Sequence, residues 1–394
     1  MIIDKLKKEK ENFVVIDSIF PQKEPFAFRN AEIGEYFKRI EGCYSYTMYP
    51  MMPDNDSWFD HGYGVEEETY EQNKIGYLKH YAGNKDKIRY LKRGKRYRFG
   101  LAYSFFLGET YVLLPFYEKN KIPFVFVLYP GGCFGLDNDG SDKMLAKIFN
   151  SKYFRGVIVT QKITHDYLIR KKLCEPQKIH YIYGGFVQFK KEQVQKKLVF
   201  NTDKKTIDIC FVAAKYTDGG VDKGYDVFVE TAKLLAKQND YVRFHVVGGF
   251  DKTDIDITGI EDKFMFYGYK KPDFLISFYA SMDIFIGPGR HSQIFPGNFD
   301  GFPLGIDAGY CGVALFVSDD LNMNQYYTDK QDIVLIDHNP ENIATRVMDY
   351  INNPNKLKIL SKKCMTKTQM LFDMDKQVNE RIKVYRQYAT IKVD

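Results

Sequence analysis

Short apolar runs that alternate with amphipathic helical patterns constrain this chain most. The runs at 13–16, 123–128, 156–160 and 179–183 are short and mostly apolar, which suits buried strands. Helical patterns at 29–40 and 164–173 lie between them. The alternation predicts a parallel sheet covered by helices on both sides, an α/β fold. A polar stretch rich in Lys and Gln, 190–205, interrupts it. The pattern then restarts, with strands predicted at 207–213, 243–247, 264–267, 284–286, 314–317 and 333–336. Helices are predicted at 225–237, 272–280 and 304–310, and through most of the chain from 340 onward. Two doubly wound domains follow from this, residues 1–203 and 204–370, with an amphipathic C-terminal segment, 371–394. Residues 48–84 are rich in acids, tyrosines and glycines and have no clear period. They read as a long surface loop, part of an insertion near 48–100.

Composition removes several function classes. Hydrophobic residues make up 44% of the 394 and charged residues 27%, which excludes a disordered or fibrous chain. Lys and Arg number 57 against 51 Asp and Glu, a net +6. That mild excess suits phosphate-bearing ligands or an anionic membrane surface and does not by itself point to nucleic acid. Cys43, Cys133, Cys174, Cys210, Cys311 and Cys364 are scattered with no C-x-x-C pair, as expected of reduced thiols in a cytosolic protein. The seven histidines show no ligand spacing, and no metal site is expected from them. The first ten residues lack an apolar core and cleavage site, so no signal peptide is expected. The most apolar stretches, 101–117 and 122–136, are interrupted by Glu109 and by Pro130, so no spanning helix is expected either.

In doubly wound folds, ligands sit beyond the carboxyl ends of strands. Two such loops in the second half carry chemistry. Residues 213–226 read Ala-Ala-Lys-Tyr-Thr-Asp-Gly-Gly-Val-Asp-Lys-Gly-Tyr-Asp. Lys215 and Lys223 supply two cations among glycines, which suits a diphosphate. A solvated lysine-bearing turn is the plain alternative. Residues 299–314 place Asp300 in a loop and Asp307 in the helix that follows. The backbone from Gly301 through Phe302 and Pro303 to Leu304 lies near that helix start, where amides hold phosphate oxygens. Carboxylates there accept hydrogen bonds from sugar or ribose hydroxyls. An acidic residue satisfying the helix dipole accounts for Asp300, and less well for Asp307.

The run Asp300-Gly-Phe-Pro-Leu-Gly-Ile-Asp307-Ala-Gly-Tyr-Cys-Gly312 follows four other motifs in order. These are Lys215 with Lys223-Gly224-Tyr-Asp226, Arg243 to Gly249, Phe266-Tyr-Gly268-Tyr269, and Tyr279 to Pro288. As an ordered set they resemble the C-terminal half of GT-B glycosyltransferases, specifically glycosyltransferase family four, the glycosyl transferases group 1. The resemblance covers roughly 207–319. It implies two Rossmann-like domains facing across a cleft, with the C-terminal helix crossing back to the first. It further implies a retaining, metal-independent, hexosyltransferase-like enzyme that moves sugar from a nucleotide-diphosphate donor to a hydroxyl acceptor. The acceptor would be a glycan, glycolipid or glycoprotein of the bacterial cell surface, and the enzyme cytoplasmic or peripheral on the inner face of the membrane. A homo-oligomer is a further expected partner state. By the same resemblance Lys215 and Lys223 bind the donor diphosphate, Asp300 contacts the transferred sugar, and Asp307 holds the ribose. Gly301, Phe302, Pro303 and Leu304 approach sugar and phosphate, and Gly268 and Tyr269 lie beside the base. Tyr129 stands where many members carry a histidine. Arg29 and Arg290 are added as candidate substrate contacts.

Some features depart from the family pattern. Both acids are Asp where Glu is typical, the spacing is one residue shorter, and Lys215 replaces an Arg, which keeps charge but loses bidentate recognition. These changes support an alternative: a non-catalytic GT-B partner that binds sugars or glycoproteins beside an active transferase. Asp54-Asn55-Asp56 and Asp137-Asn138-Asp139 spell D-x-D, a hard-oxygen metal motif in another transferase class. Polar loops produce this triplet by chance, and no metal is expected. From Lys85 to Arg98, eight cations face one acid. With Ile88, Tyr90, Leu91 and Tyr97 interleaved, the stretch predicts docking on anionic lipid or a lipid-diphosphate. Nucleic-acid stacking is a second reading and a solvated charged face a third.

Overall fold

The computed structural model describes residues 11–23, 28–52, 62–187, 189–198, 200, 203–290 and 305–391. The chain divides into two compact units, Met1–Phe186 with Met374–Asp394, and Val187–Asp373.

The first unit is built on seven strands: β1 (Glu11–Asp17), β2 (Cys43–Thr47), β3 (Ile88–Tyr90), β4 (Phe99–Phe105), β5 (Phe124–Leu128), β6 (Phe154–Val159) and β7 (Ile179–Tyr181). All pair in parallel, in the order β3-β2-β1-β4-β5-β6-β7. Parallel strands need crossovers. These carry α1 (Phe28–Arg39), α2 (Glu67–Leu78), α3 (Leu107–Asn120), α4 (Asp139–Phe149) and α5 (Lys162–Arg170). β5 reads Phe-Val-Phe-Val-Leu and is buried at every position, as a central strand covered on both faces must be.

The second unit repeats the design with β8 (Ile207–Val212), β9 (Val242–Val247), β10 (Phe264–Phe266), β11 (Ile284–Gly287), β12 (Ala314–Val317) and β13 (Val334–Leu335). Its parallel order is β10-β9-β8-β11-β12-β13. The helices are α6 (Tyr225–Gln238), α7 (Pro272–Ser281), α8 (Ile306–Tyr310), α9 (Pro340–Ile351) and α10 (Pro354–Leu371). α6 buries Val227, Phe228, Thr231, Ala232, Leu235 and Ala236, a stripe at helical spacing that faces the sheet. α9 starts with Pro340 behind Asn339, whose side chain accepts the amide of Asn342 at 2.8 Å.

α11 (Met374–Tyr388) belongs to the first unit. Its Tyr385 stacks on Phe13 of β1 at 4.7 Å and shares a 2.8 Å hydroxyl contact with Tyr36 of α1. Gln377 donates to the Tyr183 carbonyl at 2.8 Å.

Two readings of the first half need correction. Residues 48–100, expected to hold an insertion, include α2, β3 and the start of β4 of the doubly wound unit. The long loop read over 48–84 contains α2. This helix buries only Tyr70, Gly76 and Tyr77, too few positions to mark a helical stripe in the sequence. The interleaved apolar residues of the basic stretch are not free to insert into lipid. Ile88, Leu91 and Tyr97 are buried in the unit, since 88–90 is strand β3. Arg89 pairs with Glu11 and lies 3.8 Å over the Tyr44 ring, and Lys92 pairs with Glu67.

Candidate nucleotide-sugar site

Strand order reverses beside the first strand of each sheet, between β8 and β11 in the second unit. In doubly wound sheets ligands sit at the carboxyl ends of such a pair of strands. The loop after β8 carries Lys215 and Lys223, and the segment after β11 carries Pro288 and Arg290. The two loops are in contact. Gly224 has φ +74°, and a Cβ there would collide with the Pro288 carbonyl oxygen. Only glycine lets the β8 loop settle on the end of β11 and turn into α6. The next loop is drawn in the same way: Gly248, at φ +133°, leaves no space for a Cβ beside the Ala213 carbonyl. Gly248 also donates to the Gly268 carbonyl at 3.1 Å. The ends of β8, β9 and β10 are thus gathered into one edge that includes Lys215, Gly268 and Tyr269.

Each lysine has a distinct setting. Lys215 is paired with Asp254 from the loop after β9, and this hydrogen bond, with Asp251 and Asp218 nearby, holds its ammonium above the usual range. Lys223 lies 5.3 Å over the ring of Tyr216, which is 67% exposed. Tyr269 is equally exposed, with its ring passing over Gly249. Exposed tyrosines beside lysines offer aromatic faces and positive charge on one edge, suited to a base and its phosphates.

Arg290 is placed against the same loop, but its guanidinium is occupied. It makes a bidentate pair with Asp226 at 2.9 and 2.8 Å. Arg290, expected as a substrate contact, is thus engaged by Asp226 in this structure. Asp307 sits in the first turn of α8 and is partly buried. Loss of water around its carboxyl pushes its pKa up to about 6, and no cation offsets this among the described residues. Such a carboxylate is poised to accept hydroxyl donors. Asp300, Gly301, Phe302, Pro303 and Leu304 lie outside the described residues.

In the first unit the candidates are enclosed. Tyr129, just past β5, is 4% exposed, and its hydroxyl donates to Glu32 at 3.0 Å. Glu32 also accepts Tyr36 at 2.7 Å and Tyr103 at 2.5 Å, and lies 3.5 Å from Arg381 of α11. Arg381 donates to the Tyr129 oxygen at 3.3 Å. Tyr129, expected as a substrate contact, is therefore a member of a buried network in which its hydroxyl is already hydrogen-bonded. Arg29 bonds Asp17 at 2.8 Å and Glu109 at 3.2 Å, and lies 4.7 Å from the Phe106 ring centroid. Burial opposes its charge, but the two carboxylates outweigh burial and raise its pKa. Its guanidinium, expected to contact substrate, is engaged by these carboxylates inside the unit.

Sequence reasoning missed the pairing of Glu32, Glu109, Asp254 and Arg381. None lies at a motif spacing that names its partner. Burial, then repulsion from Asp17, push the Glu109 carboxyl up to about 8, while Arg29 and Ser18 pull the other way. Ser18 donates to its Oε2 at 2.6 Å, and its Oε1 is buried without a partner. Of the two D-x-D triplets, Asp54–Asp56 lies outside the described residues. In the other, Asn138 caps α4 by accepting the Ser141 amide at 2.9 Å, and Asp137 pairs with Lys171 at 2.9 Å. Among the described residues, no three His, Cys, Asp or Glu side chains cluster as metal ligands, and no helix is long and apolar enough to cross a membrane.

Residues 191–365 match the family model described as glycosyl transferases group 1. No curated protein matches the sequence. Among solved structures, sucrose-phosphate synthase from Thermosynechococcus elongatus is similar, with 15% identity and a TM-score of 0.61 over 96% of this chain and 99% of that one. Anabaena Alr3699/HepE in complex with UDP is 12% identical, with a TM-score of 0.68 over 95% of this chain and 100% of that one. A glycosyltransferase from Rickettsia africae is 12% identical, with a TM-score of 0.66 over 96% and 99%. At these identities the likeness is one of fold, the GT-B fold.

Proposed function

We propose that this chain, whose residues 191–365 match the glycosyl transferases group 1 model, moves a sugar from a nucleotide-diphosphate donor to a hydroxyl acceptor. The observation that carries the reading is the edge around the β8/β11 reversal. It brings together Lys223, the Lys215 loop, Gly268, exposed Tyr216 and exposed Tyr269. Lys215 and Lys223 neutralise the diphosphate, and the charge that develops on it as the sugar departs is what they stabilise. Asp307 takes the ribose hydroxyls, and Tyr269 lies beside the base. Asp300 and the backbone of 301–304 hold the transferred sugar. Transfer proceeds with retention: the acceptor attacks on the face the diphosphate leaves, and the leaving phosphate oxygen takes the acceptor proton. Catalysis is then positioning and charge stabilisation, with no metal required. The sugar is a hexose, and the acceptor a cell-surface glycan, glycolipid or glycoprotein of a bacterium. The enzyme works in the cytoplasm, where the basic residues 85–98 bring it to anionic membrane by charge alone. Structural neighbours solved with UDP, with UDP-glucose, and with UDP and GlcNAc support a nucleotide-sugar donor.

A non-catalytic sugar- or glycoprotein-binding partner is the second reading. One observation favours it: Tyr129, where many relatives carry a histidine, is locked to Glu32 and Arg381. A panel of UDP-, GDP- and ADP-sugars tested for protection against thermal unfolding, followed by product analysis with the protective sugar, separates the two. The enzyme shows a donor-specific rise in melting temperature together with turnover or slow donor hydrolysis. Protection without any turnover, across acceptors, establishes the binding module. Absence of protection by every nucleotide sugar removes both readings of the lysine edge.

A further inference from the structure

We propose that Arg290 is a positioning residue, fastening the loop that carries Lys223 to the carboxyl end of β11 so that the lysine is aimed before the donor binds. The inference rests on the donor role assigned to Lys223 above.

The contacts bracket Lys223 on both sides. Arg290 Nη1 and Nη2 donate to the two carboxylate oxygens of Asp226 at 2.9 and 2.8 Å. Nη1 donates again to the Val221 carbonyl at 2.9 Å, and the Arg290 amide donates to the Asp222 carbonyl at 3.1 Å. Gly224 rests directly on Pro288. Val221, Asp222, Gly224 and Asp226 thus all touch residues 288–290, and Lys223 lies between them in the chain. The loop is closed internally as well, since Thr217 Oγ1 donates to Asp222 Oδ1 at 2.6 Å.

This task needs a guanidinium. Its planar fork reaches a carboxylate with two nitrogens and a carbonyl with one of them, which an ammonium cannot do. The pair is partly exposed, with the Arg290 side chain at 30% and Asp226 at 37%, so its value lies in geometry more than in stability. A cation already held near its working place loses less freedom when the diphosphate arrives, and that saving appears as affinity.

The experiment uses the full chain with Arg290→Lys, Arg290→Gln, Asp226→Asn and the Arg290→Gln/Asp226→Asn double variant. Calorimetry reads UDP and GDP affinity, competition reads uridine and guanosine, and amide hydrogen exchange follows residues 217–228. Exchange across 218–226 should quicken in Arg290→Gln and Asp226→Asn. Affinity for the nucleoside diphosphate should fall about 10-fold in Arg290→Gln and less in Arg290→Lys. The double variant should lose no more than either single one, because the two residues act as a unit. Affinity for the matching nucleoside should hold, whereas a general loss of fold weakens nucleoside and diphosphate alike. Unchanged exchange in Arg290→Gln overturns the tether. Quickened exchange with diphosphate affinity intact, while Lys223→Ala loses it, overturns the positioning role. If neither UDP nor GDP binds the native protein, the donor role of the lysines fails, and with it the positioning role; the exchange result then reports on the tether alone.

Discussion

Both sheets reverse their strand order beside their first strand, at β1/β4 in one unit and β8/β11 in the other, yet the carboxyl ends there are finished differently. In the first unit, Asp17 at the end of β1 and Glu109 just past β4 close on Arg29, with Ser18 and Phe106 packed around them. Beside it, Glu32, Tyr129 and Arg381 fill the space past β5. In the second unit the ends carry Lys223, Tyr216 and Tyr269 on an exposed edge. The same topology thus serves two ends. One edge is closed by buried pairing among the protein's own charges, and the other carries exposed tyrosines beside Lys223, with Lys215 paired to Asp254. A doubly wound fold offers a site, and side-chain chemistry decides whether the chain itself occupies it.

The comparison can be broken at either edge. The largest effect is expected from Arg381→Ala, which leaves Glu32 buried without its counter-charge and should cost about 3–5 kcal/mol of stability. Chemical denaturation measures this. The folded fraction should bind nucleoside diphosphate as the native protein does. Loss of that binding in the folded variant would make the first edge part of the donor site.

A comparable effect tests the first edge through pH. The Glu109 pKa is raised to about 8, so the fold favours its protonated form. The stability this provides is complete below the ordinary carboxylate range near 4.5 and is lost as pH rises toward 8. Relative to Glu109→Gln, which cannot ionise, the native protein should lose on the order of 4 kcal/mol between pH 5 and 8.5. Parallel pH profiles for the two proteins would mean that the carboxyl is already charged at pH 5.

Lys223→Ala should follow, with a fall in transfer of about 100-fold or more, near 2.7 kcal/mol of transition-state stabilisation, and no change in melting temperature. Turnover equal to the native protein would strip the lysine of its assigned role.

What could be read in advance followed physical range. α6, predicted at 225–237, runs Tyr225–Gln238, and β12, predicted at 314–317, is Ala314–Val317. Each signals itself through a local period of apolar residues. α2 escaped because only three of its positions are buried, and β3 escaped because its charged neighbours read as a surface patch. Lys215, Lys223 and Tyr269 could be nominated in advance because ligand loops in this topology fall at predictable places. The partners of Lys215 and Arg290 could not: Asp254 lies in a loop with no characteristic spacing, and Asp226, though part of the Lys223-Gly224-Tyr-Asp226 motif at the start of α6, meets Arg290 only when the chain folds.

By itself the sequence determined the alternation of strands and helices, the restart of the pattern in the second half, and the lysine- and glycine-bearing loop between β8 and α6. These depend on residues within one or two turns of each other. Tertiary structure alone decided which charges are spent. Tyr36 meets Tyr385 across 349 residues, and Arg381 meets Tyr129 across 252. A buried charge must find a partner wherever the packed chain supplies one, and no local pattern encodes where that is.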